Sequence, residues 1–425
     1  MPFGGRLEAI PGQIMRANSL RLILVATWML PLLVAAPGSV RADVVIDWNL
    51  TALSVSESTP PQGTNRALAI MHAAVFDAVN AVTRTHKPYL IQPPALPDTS
   101  EEAAAAAAAH GVLAWLYPTQ LPMLDRALKI SLDKLPSGLA KDNGVALGLQ
   151  VAEKYIAVRA GDGADRKASY TPGSGAGQWR PTPPAYQPFA TAFWADVKPF
   201  VLTSPTELAA PGPLPLDSPQ YAAEIAEVRR IGARDSKERT ADQTAAAIFS
   251  LIKSGELWNA AARAAAAAQG ASVIQNARVF ALLNMSMIDA NIAGWALKKQ
   301  HPLWRPITAI REAAVSPDPK WEPLLITPPH PDYLSGHCIT SGAAARVLAL
   351  LFGNDGGEFS ATFGGNLGLT RTFKGFAAAA KEVEDARVWA GIHTRTADEH
   401  GTLLGRQIAE LAVQRVMRPV PISER

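Results

Sequence analysis

Two cations close to prolines make up the first of three short motifs near the carboxyl terminus of this 425-residue chain. Lys298 is followed seven positions later by Arg305, and Pro302 and Pro306 lie between and just after them. Because proline interrupts a helix, Lys298 is predicted at a helix end and Arg305 in an extended turn. Both cations could then point into one cavity and bind an anion. The alternative is a pair of solvated surface charges.

The second motif, Tyr333 to His337, is predicted to open a helix. Prolines stop any earlier helix, and a long apolar run follows Ser335. At a helix start the backbone N–H groups are free, and the helix dipole favours an anion. Gly336 lets the backbone approach a ligand closely, and His337 is positioned to transfer a proton. The alternative is that Ser335 is a plain N-cap and His337 a satisfied core histidine.

Arg387 and His393 form the third motif, with five residues between them. On one continuous helix the two side chains would point about 120° apart. Gly391 indicates that the first helix ends before His393, and Thr396 to Glu399 has the pattern of a capping box that starts the next helix. His393 is therefore predicted in the joint between two helices, free to turn toward Arg387.

Charge balance indicates what the three motifs would bind if they converge. Two like charges about 4 Å apart cost about 4 kcal/mol at an effective dielectric of about 20, so Lys298, Arg305 and Arg387 need counter-charge. Glu384, three residues before Arg387, is the carboxylate expected on the same helix face. One carboxylate cannot balance three cations, so a multiply charged oxyanion is the expected partner. Arginine also matches such oxygens with two parallel hydrogen bonds.

The three motifs resemble those of the superfamily that contains the vanadium-dependent haloperoxidases and the type-2 phosphatidic-acid and bacterial acid phosphatases. The pattern of that superfamily is Lys-x6-Arg-Pro, then Pro-Ser-Gly-His, then Ser-Arg-x5-His. The match is strong from Lys298 to Asp398, and the stretches Arg66–Asn80 and Asn284–Arg311 resemble its bacterial haloperoxidase-like branch. Leu334 and Ala386 depart from the pattern, since they stand where the family usually has proline and serine.

The resemblance implies a role for each residue of the three motifs. The equatorial oxygens of the oxyanion would be held by Lys298, Arg305, Ser335, Gly336 and Arg387. His393 would be the axial ligand of the vanadium in vanadate, or the nucleophile of a phosphatase, and His337 would be the acid–base group. The implied cofactor is vanadate, and phosphate or sulfate can occupy the same site.

Three further positions bear on the choice between the two branches. Trp295, three residues before Lys298, matches a tryptophan that lines haloperoxidase sites; the alternative is core packing. His330 falls where bromoperoxidases tend to carry a histidine; the alternative is an ordinary loop histidine. Asp398 lies five residues after His393, whereas the phosphatase branch tends to place its orienting aspartate four residues after that histidine. The haloperoxidase branch is therefore favoured.

The resemblance implies an exported vanadate-dependent haloperoxidase that oxidises a halide, with bromide or iodide favoured, using hydrogen peroxide. The alternative is an acid phosphatase that hydrolyses small phosphomonoesters through a phosphohistidine intermediate at His393. A third hypothesis is a helical binding protein whose site has lost its activity, and the departures at Leu334 and Ala386 keep it open. The sequence leaves open the organic acceptor and the oligomeric state, whether monomer or homo-oligomer.

The elements that must position these motifs are predicted to be helices. Apolar residues recur at helical spacing over most of the chain after residue 64, and no convincing alternating strand pattern is present. The predicted helices span 66–82, 101–116, 145–158, 240–253, 256–269, 272–298, 335–352, 370–390 and 396–417. Runs of alanine at 103–109 and 264–268 favour close helix packing. The predicted fold class is all-α, and the resemblance implies a helical domain built around two four-helix bundles.

One segment, residues 170–219, differs from the helical remainder. It is rich in proline, which forbids a continuous helix, and in aromatic residues, which argue against a floppy linker. It is predicted to be an ordered irregular cover that lies on the helices and over the site. The domain prediction is a single helical domain at 43–425, with the oxyanion site carried by 298–398.

The first 42 residues are predicted to be a signal peptide. Arg16 and Arg21 form a basic start, an apolar run extends from Leu22 to Ala36, and small residues flank a cleavage position after Ala42. The run is too short for a typical membrane anchor, so no stable membrane span is expected after cleavage. The expected location is periplasmic or secreted. Met15 is an alternative to Met1 as the start, because the leader is complete without the residues before it.

Composition narrows the function class. Hydrophobic residues make up 48% of the chain and charged residues 18%, as in a globular protein. The whole chain and its first 42 residues each carry a formal charge of +3, so the remaining body is neutral and offers no argument for nucleic-acid binding. Cys338 is the sole cysteine, so an intrachain disulfide is excluded and no zinc motif is indicated.

Overall fold

Helices dominate the part of the chain described by the computed structural model, which comprises residues 43–167, 170–314, 316–353, 355–363, 368–421 and 423. The predicted leader, 1–42, lies outside the described residues. The amino-terminal helices are α1 (Val44–Val55), α2 (Pro61–Thr83), α3 (Glu101–Leu116), α4 (Leu121–Asp133) and α5 (Leu139–Arg159). The all-α prediction is confirmed, and residues 42–425 pack as one compact unit.

The remaining helices lie in the carboxyl-terminal two thirds of the described chain. They are α6 (Pro219–Ile231), α7 (Ala241–Phe249), α8 (Ser254–Gln269), α9 (Val273–Gln300), α10 (Pro306–Arg311), α11 (Gly336–Phe352), α12 (Phe376–Trp389) and α13 (Arg395–Arg415). The long helices α2 and α9 pack against each other; α3 and α5 pack beside α2, and α11 and α13 pack beside α9. One group of helices (α2, α3 and α5) and a second group (α9, α11 and α13) thus meet where α2 packs against α9.

A short hairpin is a correction to the expectation that the chain has no strands. Strand β1 (Phe359–Phe363) pairs antiparallel with β2 (Leu369–Phe373). The helix predicted at 370–390 therefore begins later, at Phe376. Each strand has only five residues, which is too short for an alternating pattern to stand out in the sequence. Phe359 and Phe373 face the core and anchor the hairpin there.

Small residues allow two helix pairs to approach closely. A methyl group added at Gly148 of α5 would lie 2.3 Å from the Ala104 carbonyl oxygen of α3. One added at Gly405 of α13 would lie 2.1 Å from the Ile339 carbonyl oxygen of α11. The alanine run of α3 is fully buried, so its role is close packing, since a larger side chain would push the helices apart.

The proline-rich segment, 170–219, is anchored to the second group of helices by backbone hydrogen bonds. The carboxylate of Asp289, inside α9, accepts three successive N–H groups from Phe200, Val201 and Leu202 at 2.7–2.9 Å. Upstream, Trp179 N–H donates to the Pro302 carbonyl oxygen at 2.7 Å. These bonds place the segment over the end of α9 and over the loop that follows it.

Helix α9 is long and apolar enough, by length and composition alone, to cross a bilayer. Its 28 residues run through the interior, and the whole of its apolar stretch is buried by other helices. Length and composition are shared by membrane spans and by the central helices of globular proteins.

Candidate oxyanion site

Helix α9 delivers the first cation of the site. Lys298 lies in its last turn and is fully buried. Its Nζ donates to the carbonyl oxygens of Pro331 at 2.6 Å and Asp332 at 3.1 Å. Burial lowers the pKa of Lys298, and the nearby charge of Arg305 lowers it further. The side chain therefore holds the loop that precedes α11, and its positive charge is only partly balanced by negative charge nearby.

The second cation, Arg305, stands at the N-cap of α10 and joins two loops. Its guanidinium donates to the carbonyl oxygens of His330 at 2.7 Å and Ile392 at 2.6 Å. It also reaches His393 Nε2 at 3.0 Å and His330 Nδ1 at 2.9 Å. Burial lowers the pKa of Arg305 to about 10, which still leaves it charged at neutral pH. The two loops that carry the histidines are thus tied to one guanidinium.

The start of α11 brings a helix amino terminus to the same place. Ser335 is the N-cap, and its backbone N–H donates to the Ala397 carbonyl oxygen at 3.0 Å. The next N–H groups, at Gly336 and His337, have no acceptor within their own helix. A methyl group at Gly336 would lie 3.1 Å from the Trp295 ring, so a larger residue would crowd the indole that lies against this helix start.

His337 follows in the first turn of α11 and is partly buried. One ring nitrogen is hydrogen-bonded to the Ile252 carbonyl oxygen, and burial together with the charges of Arg387, Arg305 and Lys298 lowers the pKa of this histidine. The imidazole is therefore neutral near pH 7. A neutral imidazole with one N–H engaged has its other nitrogen available as a proton acceptor.

Arg387, in the last turn of α12, is the third cation and is 2% exposed. Its Nη1 donates to the hydroxyl and the carbonyl oxygen of Ser250 at 3.0 and 3.3 Å. Its Nε, although buried, has no hydrogen-bond partner among the described residues. Because a buried donor without an acceptor is costly, this N–H is a donor that an oxygen of a bound oxyanion could satisfy.

His393 lies in the joint between α12 and α13, as predicted from its spacing, and is fully buried. Its Nδ1 lies 2.6 Å from Oδ1 of Asp332, a close contact that lacks the angle of a hydrogen bond. The other carboxylate oxygen of Asp332 accepts the Thr394 hydroxyl at 2.7 Å. Burial raises the pKa of Asp332 to about 6, against the lowering effect of Arg305.

Sequence reasoning missed Asp332 although it stands directly before the second motif, three residues before Ser335. Its signal was a carboxylate among apolar and proline residues, but nothing in the local spacing pairs it with His393, sixty-one positions later. That pairing exists because Lys298 and Arg305 pull the 330–332 loop and the 392–393 joint toward the same point.

Asp398 has a different place from the one predicted. Helix α13 begins at Arg395 rather than at a capping box formed by Thr396 to Glu399. The Asp398 carboxylate is fully buried and accepts the Cys338 thiol at 3.2 Å, while its Oδ2 has no partner in the described part of the chain. Burial raises the pKa of Asp398. This residue supports the start of α11 and does not contact His393.

The counter-charges of the site also differ from the expectation. Glu384 pairs with Lys381 at 2.8 Å and accepts the Thr402 hydroxyl at 2.9 Å, so it is engaged elsewhere. The buried carboxylates near the cations are Asp332 and Asp398, and both act electrostatically on Arg305. Three cations against two carboxylates leave one positive charge even with every acid ionised. A buried excess of positive charge favours an anion.

These residues fit an oxyanion better than a bare metal cation. Three cations, a helix amino terminus and the unpartnered Arg387 Nε all present hydrogen-bond donors, and His393 adds one neutral nitrogen. Among the described residues, no group of three or more His, Cys, Asp or Glu side chains is arranged to hold a metal ion. The donor set therefore matches vanadate or phosphate, held by oxygen contacts and one histidine.

Aromatic rings and His330 form the side of the site nearest the proline-rich segment. The rings of Trp295 and Phe189 lie 5.2 and 6.2 Å from the ring of His330, centroid to centroid. The Trp295 indole N–H donates to the Thr191 hydroxyl at 3.1 Å, which orients the ring. Since His330 is only partly buried, this aromatic side is where a small substrate can approach.

Fold and site together define a helical-bundle protein with a buried cationic cage for an oxyanion. The family model "VCPO second helical-bundle domain" matches residues 278–421, which include all three motifs. The crystal structure of the first bacterial vanadium-dependent iodoperoxidase is similar, with 26% identity, a TM-score of 0.78, and coverage of 89% of this chain and 96% of that one.

Two crystal structures of bacterial vanadium-dependent chloroperoxidase, holo-type and apo-type, share the fold. Their identities are 18% and 17%, their TM-scores are 0.67 and 0.66, and they cover 83% and 82% of this chain and 92% of each relative. No curated protein sequence matches. These matches confirm the resemblance to the vanadium haloperoxidase superfamily that is seen in the motifs.

Proposed function

We propose that the protein is a vanadate-dependent haloperoxidase that oxidises iodide or bromide with hydrogen peroxide. The observation that carries this proposal is the convergence of Lys298, Arg305 and Arg387, all buried, on two neutral histidines. Such a cage binds a multiply charged oxyanion and shields it from water. The relatives named above are haloperoxidases, which supports the same reaction class.

The cofactor would be held by residues of three helices and two loops. Lys298, Arg305 and Arg387 would neutralise its oxygens, and the Gly336 backbone N–H and the Ser335 hydroxyl would add hydrogen bonds. His393 would bind it through Nε2. When bound, vanadate supplies a Lewis-acidic centre that activates hydrogen peroxide for oxygen transfer to a halide.

Proton movement falls to His337. Its free ring nitrogen can take a proton from hydrogen peroxide as the peroxide binds, because its lowered pKa keeps the imidazole neutral at neutral pH. The Ile252 carbonyl oxygen fixes the other ring nitrogen as the donor. His337→Ala is expected to lower kcat by about 10²–10⁴-fold, the usual range for a lost acid–base group, with vanadate affinity little changed.

The halide preference is proposed from the aromatic side of the site. Arginine can only donate, so His330 Nδ1 accepts from Arg305 and the N–H of His330 lies on Nε2. That N–H, between Trp295 and Phe189, can donate to a large polarisable halide. We expect kcat/KM to fall in the order iodide, bromide, chloride, and we expect His330→Ala to lower the value for iodide without changing the KM for hydrogen peroxide.

The central experiment is a side-by-side assay of the purified chain with and without vanadate. Iodide and bromide oxidation that depends on vanadate and is lost in His337→Ala supports the proposal. His110→Ala, far from the site, serves as the matched histidine control and should retain full activity. Phosphoester turnover without vanadate, together with no halide oxidation when vanadate is added, would instead favour the phosphatase. Inactivity in both assays with intact oxyanion binding would favour a binding protein.

The phosphatase remains the second candidate because of one contact. A nucleophilic histidine is usually oriented by a carboxylate, and Asp332 lies 2.6 Å from His393. The absence of an aspartate four residues after His393 is therefore not an argument against phosphoryl transfer. Trapping a phosphohistidine at position 393 during phosphomonoester turnover would decide for this candidate.

Export is proposed from the leader. Cleavage after Ala42 would leave Asp43, whose carboxylate caps α1 by accepting the Val45 N–H at 2.8 Å and also accepts from Asn276 at 2.5 Å. The mature chain would thus begin with a residue that the fold uses. Mass spectrometry of the protein recovered from the periplasm or the medium should give Asp43 as the first residue. Full-length protein confined to the cytoplasm would contradict export.

A further inference from the structure

One fully buried side chain at the site, Asp332, has contacts that no motif role explains. Its backbone N–H donates to the Leu303 carbonyl oxygen at 2.9 Å, and its own carbonyl oxygen accepts from Lys298. Its Oδ2 accepts the hydroxyl of Thr394 at 2.7 Å and the Thr394 N–H at 3.3 Å. With the backbone and one carboxylate oxygen fixed, the remaining oxygen can point in one direction only, and it points to His393.

The protonation of His393 follows from its two neighbours. Its Nε2 lies 3.0 Å from Nη1 of Arg305, and a guanidinium has no acceptor, so Nε2 must be the unprotonated nitrogen. The proton of the neutral ring is therefore on Nδ1, which faces Oδ1 of Asp332 at 2.6 Å. These two atoms are in contact without the geometry of a hydrogen bond, and neither has a hydrogen-bond partner elsewhere in the described part of the chain, although Oδ1 also lies 3.8 Å from Nη1 of Arg305. Oδ1 thus lies where it can accept the Nδ1–H.

We propose that Asp332 is a positioning residue that receives the Nδ1–H of His393 and so keeps Nε2 unprotonated, as a nitrogen that binds the oxyanion must be. The inference rests on the proposed function only in that Nε2 is the atom that would bind vanadium. A histidine that binds a metal commonly donates its other N–H to a carboxylate in this way, which sets the tautomer and the ring orientation.

The competing explanation is that Asp332 serves only as a counter-charge, since it also lies 3.8 Å from Arg305. The molecule offers a matched control in Asp398, which is equally buried and acts on the same cations but contacts Cys338 instead of His393. Asp332→Asn and Asp398→Asn remove the same charge. Only the first removes the acceptor from His393.

The first test is nitrogen-15 NMR of histidine-labelled protein, with the His393 signals assigned by comparison with His393→Gln. The wild-type chain and Asp398→Asn are expected to show the proton of His393 on Nδ1. Asp332→Asn is expected to shift the ring wholly or partly to the Nε2–H form, because the asparagine amide can donate to Nδ1. An Nε2–H tautomer in the wild type would overturn the proposal, and so would an unchanged tautomer in Asp332→Asn.

The second test compares two oxyanions by isothermal titration. Sulfate binds through its oxygens alone, whereas vanadate would also bind Nε2. If only charge mattered, both asparagine variants would bind both anions more tightly. Positioning predicts instead that Asp332→Asn weakens vanadate relative to sulfate by about 10- to 100-fold, while Asp398→Asn leaves the ratio of the two affinities unchanged. An equal ratio in the two variants would refute the role of Asp332.

These measurements separate the inference from the proposed activity. An Nδ1–H tautomer with the expected shift in the affinity ratio supports the inference even if the chain oxidises no halide. Halide oxidation with an Nε2–H tautomer leaves the activity intact and removes the inference. If Asp332→Asn does not fold, the wild-type tautomer and the milder Thr394→Val variant still decide whether Asp332 positions His393. Thr394→Val removes the hydroxyl that donates to Oδ2, keeps the backbone N–H that also donates to it, and is expected to lower the affinity ratio in the same direction by less.

Discussion

The central helices α2 and α9 bury polar residues in two different ways. In the middle of the protein, His72 of α2 and Asn284 of α9 belong to a network of neutral side chains with Asn49 and Asn259, with hydrogen bonds of 2.7–3.0 Å. The cationic Arg263 donates to this network at Asn49 Oδ1, at 2.6 Å. At the carboxyl end of α9, Lys298 enters a site with more positive than negative charge. In the same helix pair, the polar groups of the neutral network are largely hydrogen-bonded, whereas the positive charge of the cationic site is not fully balanced.

The difference shows where the protein keeps its capacity to bind. Neutral donors and acceptors that satisfy each other contribute to a specific core and have nothing left for a ligand. Buried cations whose charge exceeds that of their partners oppose folding, and an anion relieves that cost. The neutral network is therefore expected to govern stability, and the cationic site is expected to govern oxyanion affinity.

The largest expected effect is the loss of oxyanion binding when one cation is removed. Arg387→Met should weaken sulfate or vanadate by about 100-fold, close to 3 kcal/mol, because a buried charge partner of the anion is lost. Its melting temperature should not fall, since the variant no longer buries an unpartnered Nε. Titration calorimetry and thermal unfolding measure the two quantities. A lower melting temperature with unchanged oxyanion affinity in Arg387→Met would show that the cationic site governs stability, as the neutral network is expected to do.

The opposite response is expected in the neutral network. Asn259→Ala takes hydrogen-bond partners from the buried amides of Asn49 and Asn284, and should lower the free energy of unfolding by about 2–3 kcal/mol. Sulfate affinity should stay within about twofold, because the substitution removes no charge. Chemical denaturation and the same calorimetry provide the check. Reduced sulfate affinity in this variant would show that the two regions are coupled.

A smaller effect is expected from matched glycine substitutions in the two close helix pairs. Gly148→Ala and Gly405→Ala should each lower the free energy of unfolding by about 1–3 kcal/mol, because a new methyl meets a backbone oxygen. Only Gly405→Ala should also weaken oxyanion binding, since it displaces α11, whose first turn forms part of the site. Gly161→Ala is the control, because nothing lies within 4 Å of its added methyl.

The smallest expected effect is a pH dependence at Asp289, whose pKa burial raises from 3.8 to about 6. A folded-state pKa above the unfolded value stabilises the protein at low pH, and that contribution is lost as the pH rises through about 6. Wild-type stability relative to Asp289→Asn should therefore fall by about 1 kcal/mol between pH 5 and pH 7. Urea unfolding at the two pH values measures it.

Asp77 of α2 allows the pH dependence of stability to be tested at a second buried aspartate. It accepts three successive backbone N–H groups, from Tyr89, Leu90 and Ile91, and burial raises its pKa as well. Asp77→Asn should show a trend of the same sign. A pH-independent difference for both aspartates would mean that they are ionised throughout this range and that their hydrogen bonds outweigh burial.

Much of the architecture was accessible from the sequence because helix formation is local. The helix predicted at 101–116 has those limits in the structure, and α12 ends at Trp389, just before Gly391, as expected. Predictions failed where a short element depends on its neighbours. The strand β2 was included in the helix predicted at 370–390, because its pairing with β1 is not written in either segment alone.

Predictions for the candidate site succeeded where they depended on local sequence and failed where they depended on distant neighbours. Motif spacing indicated which cations and histidines to consider, and helix-breaking prolines indicated that Lys298 and Arg305 lie at element ends. The counter-charges were misassigned to Glu384, and Asp332 was missed altogether. A carboxylate pairs with whichever group the chain brings near it, and sequence separation carries no information about that group.

The sequence by itself determined the helical elements and the set of groups able to bind an oxyanion, because side-chain period and residue chemistry act over a few residues. Tertiary structure decided which oxygens and nitrogens meet. Because α11 packs closely against α13, the Ser335 N–H donates to the Ala397 carbonyl oxygen. The Arg305 guanidinium donates to the carbonyl oxygens of both His330 and Ile392. Only that assembly directs one carboxylate, Asp332, to His393, since the contact requires both loops in place.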